Sequence, residues 1–237
     1  MPEATHTLTT PDGPMECYEA TPESDARGAV VVVQEAFGLN DHIRDVTRRF
    51  AAAGYHAIAP AFFHRSGGGT ADYGDYAAVM PLFEGVTDGG VLTDFDTALA
   101  RLHGQGFNDG RVGTVGFCWG GRATFLVCAR RAIGAGVGFY GGGIASKSGL
   151  GFEALIDEAA ALKAPWLGLF GDDDASIPVE DVEKLREALR AAPVATDVVR
   201  YPGAGHGFHC DVRPDFEPEA AADAWARTLE WFDTHLA

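Results

Sequence analysis

Apolar residues in this chain fall into short dense runs, separated by stretches in which they recur every three or four positions. The densest run is Val30 to Val33, four consecutive valines inside GAVVVVQEAFGLN. A β-branched run without polar alternation reads as a strand covered on both faces. In DHIRDVTRRFAAAG, Ile43, Val46 and Phe50 then have helical spacing, with Asp41 as the expected N-cap. YHAIAP follows as a short strand. Beyond it the pattern yields a helix at VLTDFDTALARLHGQG, a strand at RVGTVGF, a helix at WGGRATFLVCARR and strands at IGAGVGFYG and APWLGLFGDDD. A helix at PVEDVEKLREALRAA, a strand at ATDVVRYPG and a last helix at EPEAAADAWARTLEWFDTHL complete the series. Two parts break the rhythm. THTLTTPDGPMECYEATP has β-compatible flanks around a PDG turn and reads as a hairpin. Phe62 to Gly90 is rich in Gly and Asp with one apolar patch, YAAVMPLF, and reads as an excursion without a regular element.

Strands alternating with helices predict an α/β fold: a mostly parallel central sheet, helices on both faces, and an N-terminal antiparallel hairpin on one edge. No linker divides the chain, so residues 1–237 are read as a single domain.

Composition narrows the class. The chain is 46% hydrophobic and 22% charged, ordinary values for a globular protein. Its net charge of −16 disfavours non-specific contact with nucleic acid or an anionic membrane. MPEATHTLTT has neither a basic nor an apolar leader region, and no apolar run approaches a membrane span. Cys17, Cys118, Cys128 and Cys210 form no CxxC pair or zinc-site spacing, which points to free thiols in a reducing, cytoplasmic setting. Cys17 and Cys128 read as ordinary core or surface residues.

In a parallel sheet, ligands bind beyond the carboxyl ends of the strands. Four strand-end loops stand out: QEAFG, GFCWGG, GDDDASIP and GAGHGF. Gly116-Phe117-Cys118-Trp119-Gly120 has the G-x-S-x-G form of a nucleophile elbow, with cysteine in place of serine. Small neighbours are required because the nucleophile occupies a strained strand-to-helix turn. The helix N-terminus and a histidine base would favour the reactive thiolate. Acid and base follow the nucleophile in chain order on such a fold. His206 is the expected base; His209 reads as a surface or supporting histidine. The two could hint at a metal, but no third ligand is evident. Asp172, Asp173 and Asp174 are equal candidates for the acid that orients the imidazole. Trp119 supplies one backbone oxyanion donor, and the loop after the valine strand supplies the other.

Together these motifs resemble the dienelactone hydrolase family of the α/β-hydrolase superfamily. The resemblance rests on Q-E-x-F-G at Gln34 to Gly38, G-x-C-x-G-G at Gly116 to Gly121, D-x-x-[IV]-P at Asp174 to Pro178 and G-H-x-F at Gly205 to Phe208. It implies hydrolysis of a small-molecule ester or lactone by Cys118, His206 and Asp174. It implies Phe37 as the second oxyanion donor, and Glu35 as the group that helps convert the thiol to thiolate when substrate binds. No metal or organic cofactor is implied. Members that cleave dienelactone hold the substrate carboxylate with two arginines. One position is Cys210 here, and no arginine lies between Arg65 and Arg101 to serve as the other. Arg65, Arg122 and Arg213 are the candidate substitutes, with ion pairing as their bland role. An esterase or thioesterase acting on uncharged substrates, or a non-catalytic or redox-sensing protein on the same fold, are the competing readings. A monomer or small homo-oligomer is expected.

Overall fold

The computed structural model describes residues 1–236. Its strands are β1 (Glu3–Thr10), β2 (Gly13–Ala20), β3 (Ala29–Val33), β4 (His56–Pro60), β5 (Val112–Phe117), β6 (Ala135–Phe139), β7 (Trp166–Gly171) and β8 (Thr196–Tyr201). They form one sheet in the order β1-β2-β4-β3-β5-β6-β7-β8. The hairpin β1–β2 pairs Thr10 with Gly13 around its turn, and β2 runs antiparallel to β4. From β4 to β8 every pairing is parallel, as the alternation predicts.

The helices are α1 (Asp41–Ala52), α2 (Tyr76–Leu82), α3 (Asp88–Gly104), α4 (Trp119–Arg130), α5 (Val179–Leu189) and α6 (Pro218–His235). Every residue of β3, β5, β6 and β7 is buried, because helices cover both faces. Each fully buried valine of β3 contributes about 1.5–3 kcal/mol of apolar burial. Helices α1 and α6 share one face, where Phe50 packs on Trp225 and Phe232 with ring centroids 4.6 and 6.0 Å apart. Helix α4 lies on the other face, across β3, β5, β6 and β7, with α3 beside it. Among the described residues no helix is long and apolar enough to cross a membrane.

Three local expectations are corrected. The N-cap of α1 is Asn40, whose Oδ1 accepts from the Ile43 amide at 3.1 Å. Asp41 is the first helical residue instead, where its charge meets the positive end of the helix dipole. Pro178 precedes α5 in extended backbone rather than sitting inside it. The excursion after Phe62 does contain regular structure: a 3-10 turn at His64–Ser66, α2 behind its Asp75 cap, and the start of α3. Gly89 and Gly90 hide that start in the sequence, but the Thr87 side chain accepts from the Gly90 amide at 3.0 Å and caps the helix there.

Candidate functional site

The four strand-end loops converge beyond the carboxyl ends of β3, β5, β7 and β8. Cys118 stands between β5 and α4 with φ 55° and ψ −118°, a left-handed conformation that a non-glycine residue adopts only when its surroundings force it. Its amide donates to the Phe139 carbonyl at 3.0 Å, and its carbonyl accepts from the Gly121 amide at 2.9 Å. The glycines around it permit this turn. A Cβ on Gly116 would lie 2.1 Å from the Gly120 carbonyl oxygen, and one on Gly120 would lie 2.4 Å from that of Gln34. The helix start is thereby pressed against the ends of both β5 and β3.

His206, on the loop after β8, lines the same cavity of about 500 Å³ as Cys118 and Asp174. Its Nδ1 lies 2.7 Å from Asp174 Oδ2. Asp174 Oδ1 accepts from the Ser176 amide and hydroxyl at 2.8 and 2.6 Å, so both carboxylate oxygens are partnered. Burial alone would raise the Asp174 pKa, but bonds from His206 and Ser176 outweigh it and hold the group below the usual carboxylate range. For His206, burial pulls the pKa down, while neighbouring Cys118 and the bond to Asp174 push it well above that of a free imidazole. Neither of the other two candidate acids bonds His206: Asp172 pairs with Arg200 at 2.7 Å, and Asp173 is exposed at the rim of the cavity.

Glu35 follows the end of β3 and is fully buried. Its Oε2 accepts from the Tyr73 hydroxyl at 2.7 Å, while Oε1 faces Arg213 Nη1 at 3.6 Å without a hydrogen bond. Arg213 lies over the rings of Tyr73 and Phe37, 5.5 and 6.0 Å from their centroids. Gly207, with φ 90°, leaves room for it: a Cβ there would be 2.6 Å from the guanidinium carbon. The Phe37 and Trp119 amides make no hydrogen bond among the described residues, as expected of a loop and a helix start. Their rings are buried. Phe37 packs on Tyr73 and Trp119 on Phe63, at 4.7 and 5.7 Å.

Of the three arginines considered for substrate, only Arg213 lines the cavity. Arg65 is held elsewhere by Asp94 and Asp12, at 2.6 and 2.7 Å. Arg122 is 1% exposed and fixed by Asp88 and by the carbonyls of Gly143 and Glu153. Both serve the framework, because their donors are already taken up by these partners. His209 is also corrected: it is a core residue, stacked on Phe117 and Trp225 at 5.3 and 6.0 Å. Burial pushes its pKa down to about 3, so it stays neutral.

Tyr73, Ser176, His42 and Tyr140 also belong to the site and its surroundings, and no motif in the sequence singled them out. Tyr73 sits in the excursion, where no periodicity marks it. Tyr140 directly follows β6, so the strand-end rule that found the other loops could have found it too. It has φ 38°, a buried hydroxyl without a partner, and a ring 5.2 Å from that of His206. Glu35, His42 and Cys210 bring a carboxylate, an imidazole and a thiol within 4.8 Å of one another, a donor set suited to a metal ion.

The model of the dienelactone hydrolase family matches residues 15–236. A Methylorubrum extorquens protein provisionally named a carboxymethylenebutenolidase is 43% identical over 224 residues, covering 93% of this chain and 77% of its own. A carboxymethylenebutenolidase from a Pseudomonas strain is 31% identical over 209 residues, covering 86% of this chain and 84% of its own. A crystal structure from Klebsiella pneumoniae, provisionally named a dienelactone hydrolase, superposes with a TM-score of 0.89 at 39% identity over 98% of both chains.

Proposed function

The chain belongs to the dienelactone hydrolase family, hydrolases of ester and lactone bonds, and from that premise we propose that it works by covalent catalysis from Cys118. The Cys118 thiolate attacks the substrate carbonyl carbon, and the Phe37 and Trp119 amides receive the oxyanion. Collapse of the tetrahedral adduct breaks the bond to the alkoxide, which takes a proton from the His206 imidazolium. In a lactone that alcohol stays tethered to the acyl group. His206 then removes a proton from water, which attacks the thioester and releases the acid and the thiolate. Asp174 holds the imidazole in the tautomer that both steps need. Glu35 accepts the thiol proton as substrate enters.

The observation that carries this reading is the left-handed Cys118 beside a His206–Asp174 pair joined at 2.7 Å. The strain at Cys118 costs about 1–3 kcal/mol, and holding a thiol at the mouth of a cavity is what it accomplishes. Arg213 favours a substrate that carries a carboxylate. It brings a guanidinium into the cavity from three residues beyond Cys210, the position where the family's arginine is replaced. The names of the relatives point to the same class, a butenolide bearing a carboxymethylene group.

The test is a hydrolysis panel of cis- and trans-dienelactone, neutral lactones and p-nitrophenyl esters, run with the wild type and Cys118→Ala. Mass spectrometry should detect an acyl adduct on Cys118 with a slow ester. Wild-type turnover by Cys118→Ala would refute the mechanism.

A further inference from the structure

Glu35, His42 and Cys210 come from three separate segments: the turn after β3, the second residue of α1 and the loop after β8. All three are buried, and their candidate ligand atoms lie within 4.8 Å of one another. Glu35 Oε1 and both ring nitrogens of His42 have no hydrogen-bond partner. An unsatisfied buried polar atom costs about 1–3 kcal/mol, so three at one point need an explanation. The mechanism above uses Glu35 but gives no task to His42 or Cys210.

We propose that Glu35, His42 and Cys210 form a binding site for a borderline divalent cation, zinc above all, which switches the hydrolase off by holding Glu35. The inhibitory half rests on the role proposed for Glu35; the binding half does not. One carboxylate oxygen, one imidazole nitrogen and one thiolate are a zinc donor set, with water completing a tetrahedron. Ligand atoms around tetrahedral zinc are about 3.4 Å apart, given bonds of about 2.0–2.3 Å. The ligand atoms must therefore close on one another by up to about 1.4 Å, within the reach of side-chain rotation.

The surroundings match. Asp211 Oδ1 lies 3.9 Å from His42 Nδ1 on a half-exposed side chain, placed to orient the ring and leave Nε2 for the metal. Tyr73 already bonds Glu35 Oε2 at 2.7 Å and accepts from Cys210 at 3.4 Å, and can stay as an outer partner. Burial keeps His42 in its neutral, metal-binding form. The Cys210 thiol, which burial and then Glu35 push up to about 11, loses its proton to solvent as the sulfur–metal bond forms. Zinc with one carboxylate and one thiolate is then electroneutral. Arg213, displaced from Glu35, keeps Asp215, whose carboxylate lies 3.5 Å from Nη2.

The test removes the competing thiol first. In Cys118→Ser protein, cobalt(II) should bind one ion per chain and give a thiolate charge-transfer band. Zinc should displace it in a chelator competition. The band should vanish in Cys118→Ser/Cys210→Ser, and Asp211→Asn should weaken binding about tenfold. Cys210→Ala replaces Cys210→Ser if thermal melting shows that serine disturbs the fold. In otherwise wild-type enzyme, zinc inhibition should weaken at least about tenfold on Cys210→Ala. No band in Cys118→Ser, or a band that survives loss of Cys210, would overturn the site. Equal zinc sensitivity of wild type and Cys210→Ala would overturn the switch. Because the cobalt readout is taken without Cys118, it stands or falls apart from the hydrolytic mechanism.

Discussion

Gly120→Ala should damage this enzyme far more than one methyl group implies. The new Cβ would sit 2.4 Å from the Gln34 carbonyl oxygen and 2.5 Å from that of Val33, both backbone atoms of the central sheet. Ordinary contact begins at 3.4 Å, so the start of α4 must retreat from β3 by about 1 Å. Overpacking of this kind costs about 1–3 kcal/mol of stability. The retreat also parts the two proposed oxyanion donors, since Trp119 precedes Gly120 and Phe37 follows β3. Misplacing a reacting group by 1 Å costs about 100-fold in rate, or about 2.7 kcal/mol of barrier. Urea unfolding and kcat on a p-nitrophenyl ester measure the two losses separately. Gly104→Ala is the control: it lies at the end of α3 with nothing near its Cβ direction, and should be neutral or stabilising by about 0.5–1 kcal/mol. If Gly120→Ala matched the wild type within about 0.5 kcal/mol and kept full kcat, the close approach of α4 to β3 would have no such consequence.

Asp174→Asn should preserve the Ser176 contacts but present an amide to His206 Nδ1, lowering kcat by about 10³–10⁴-fold. The raised His206 pKa adds stability that is full below about pH 6.5 and disappears as pH rises through the folded value; Asp174→Asn should shrink that alkaline loss in a pH series of urea titrations. Glu19 is opposed by burial, yet bonds from His56, Arg101 and Gln105 hold its pKa down to about 2. Its contribution is therefore present above about pH 4.5 and lost as pH falls towards 2, and Glu19→Gln should flatten that acid limb. Arg213→Met should raise KM for a carboxylate-bearing lactone by about 10–100-fold while leaving neutral esters nearer wild type; an equal loss on both would remove Arg213 from substrate recognition.

The sheet and its parallel direction were legible because β3 is apolar throughout and β5 is broken only by Thr114, a pattern typical of a doubly covered strand, and the hairpin edge because a PDG turn joins its two β-compatible flanks. Cys118 and His206 were visible as residues following strands, whereas Asp174 stood out from Asp172 and Asp173 only through the family resemblance; the structure places all three on one cavity. Arg65, Arg122 and Arg213 could not be separated, because an arginine's task depends on which carboxylates meet it in space. Asp94 and Asp88 decide the first two. His209 was misjudged for a related reason: it sits three residues from His206, but the loop turns between them and buries it against Phe117. The segment containing Tyr73 and α2 carried no periodic signal, since a seven-residue helix resting on a pocket edge has too little apolar face to register.

That segment has a consequence for how such an enzyme diversifies. Its Tyr76 and Met80 are 66% and 56% exposed, and Tyr76 and Val79 line the cavity opposite Lys147, Ser148 and Leu150. Both rim pieces are insertions between strands, whereas Cys118, Asp174 and His206 are anchored to the strands themselves. Acceptance of new substrates can thus drift by exchange of two peripheral segments, at little risk to the chemistry proposed for the strand-anchored residues. A library confined to positions 74–80 and 146–150, which spares the Tyr73 bond to Glu35, would explore selectivity almost independently of turnover.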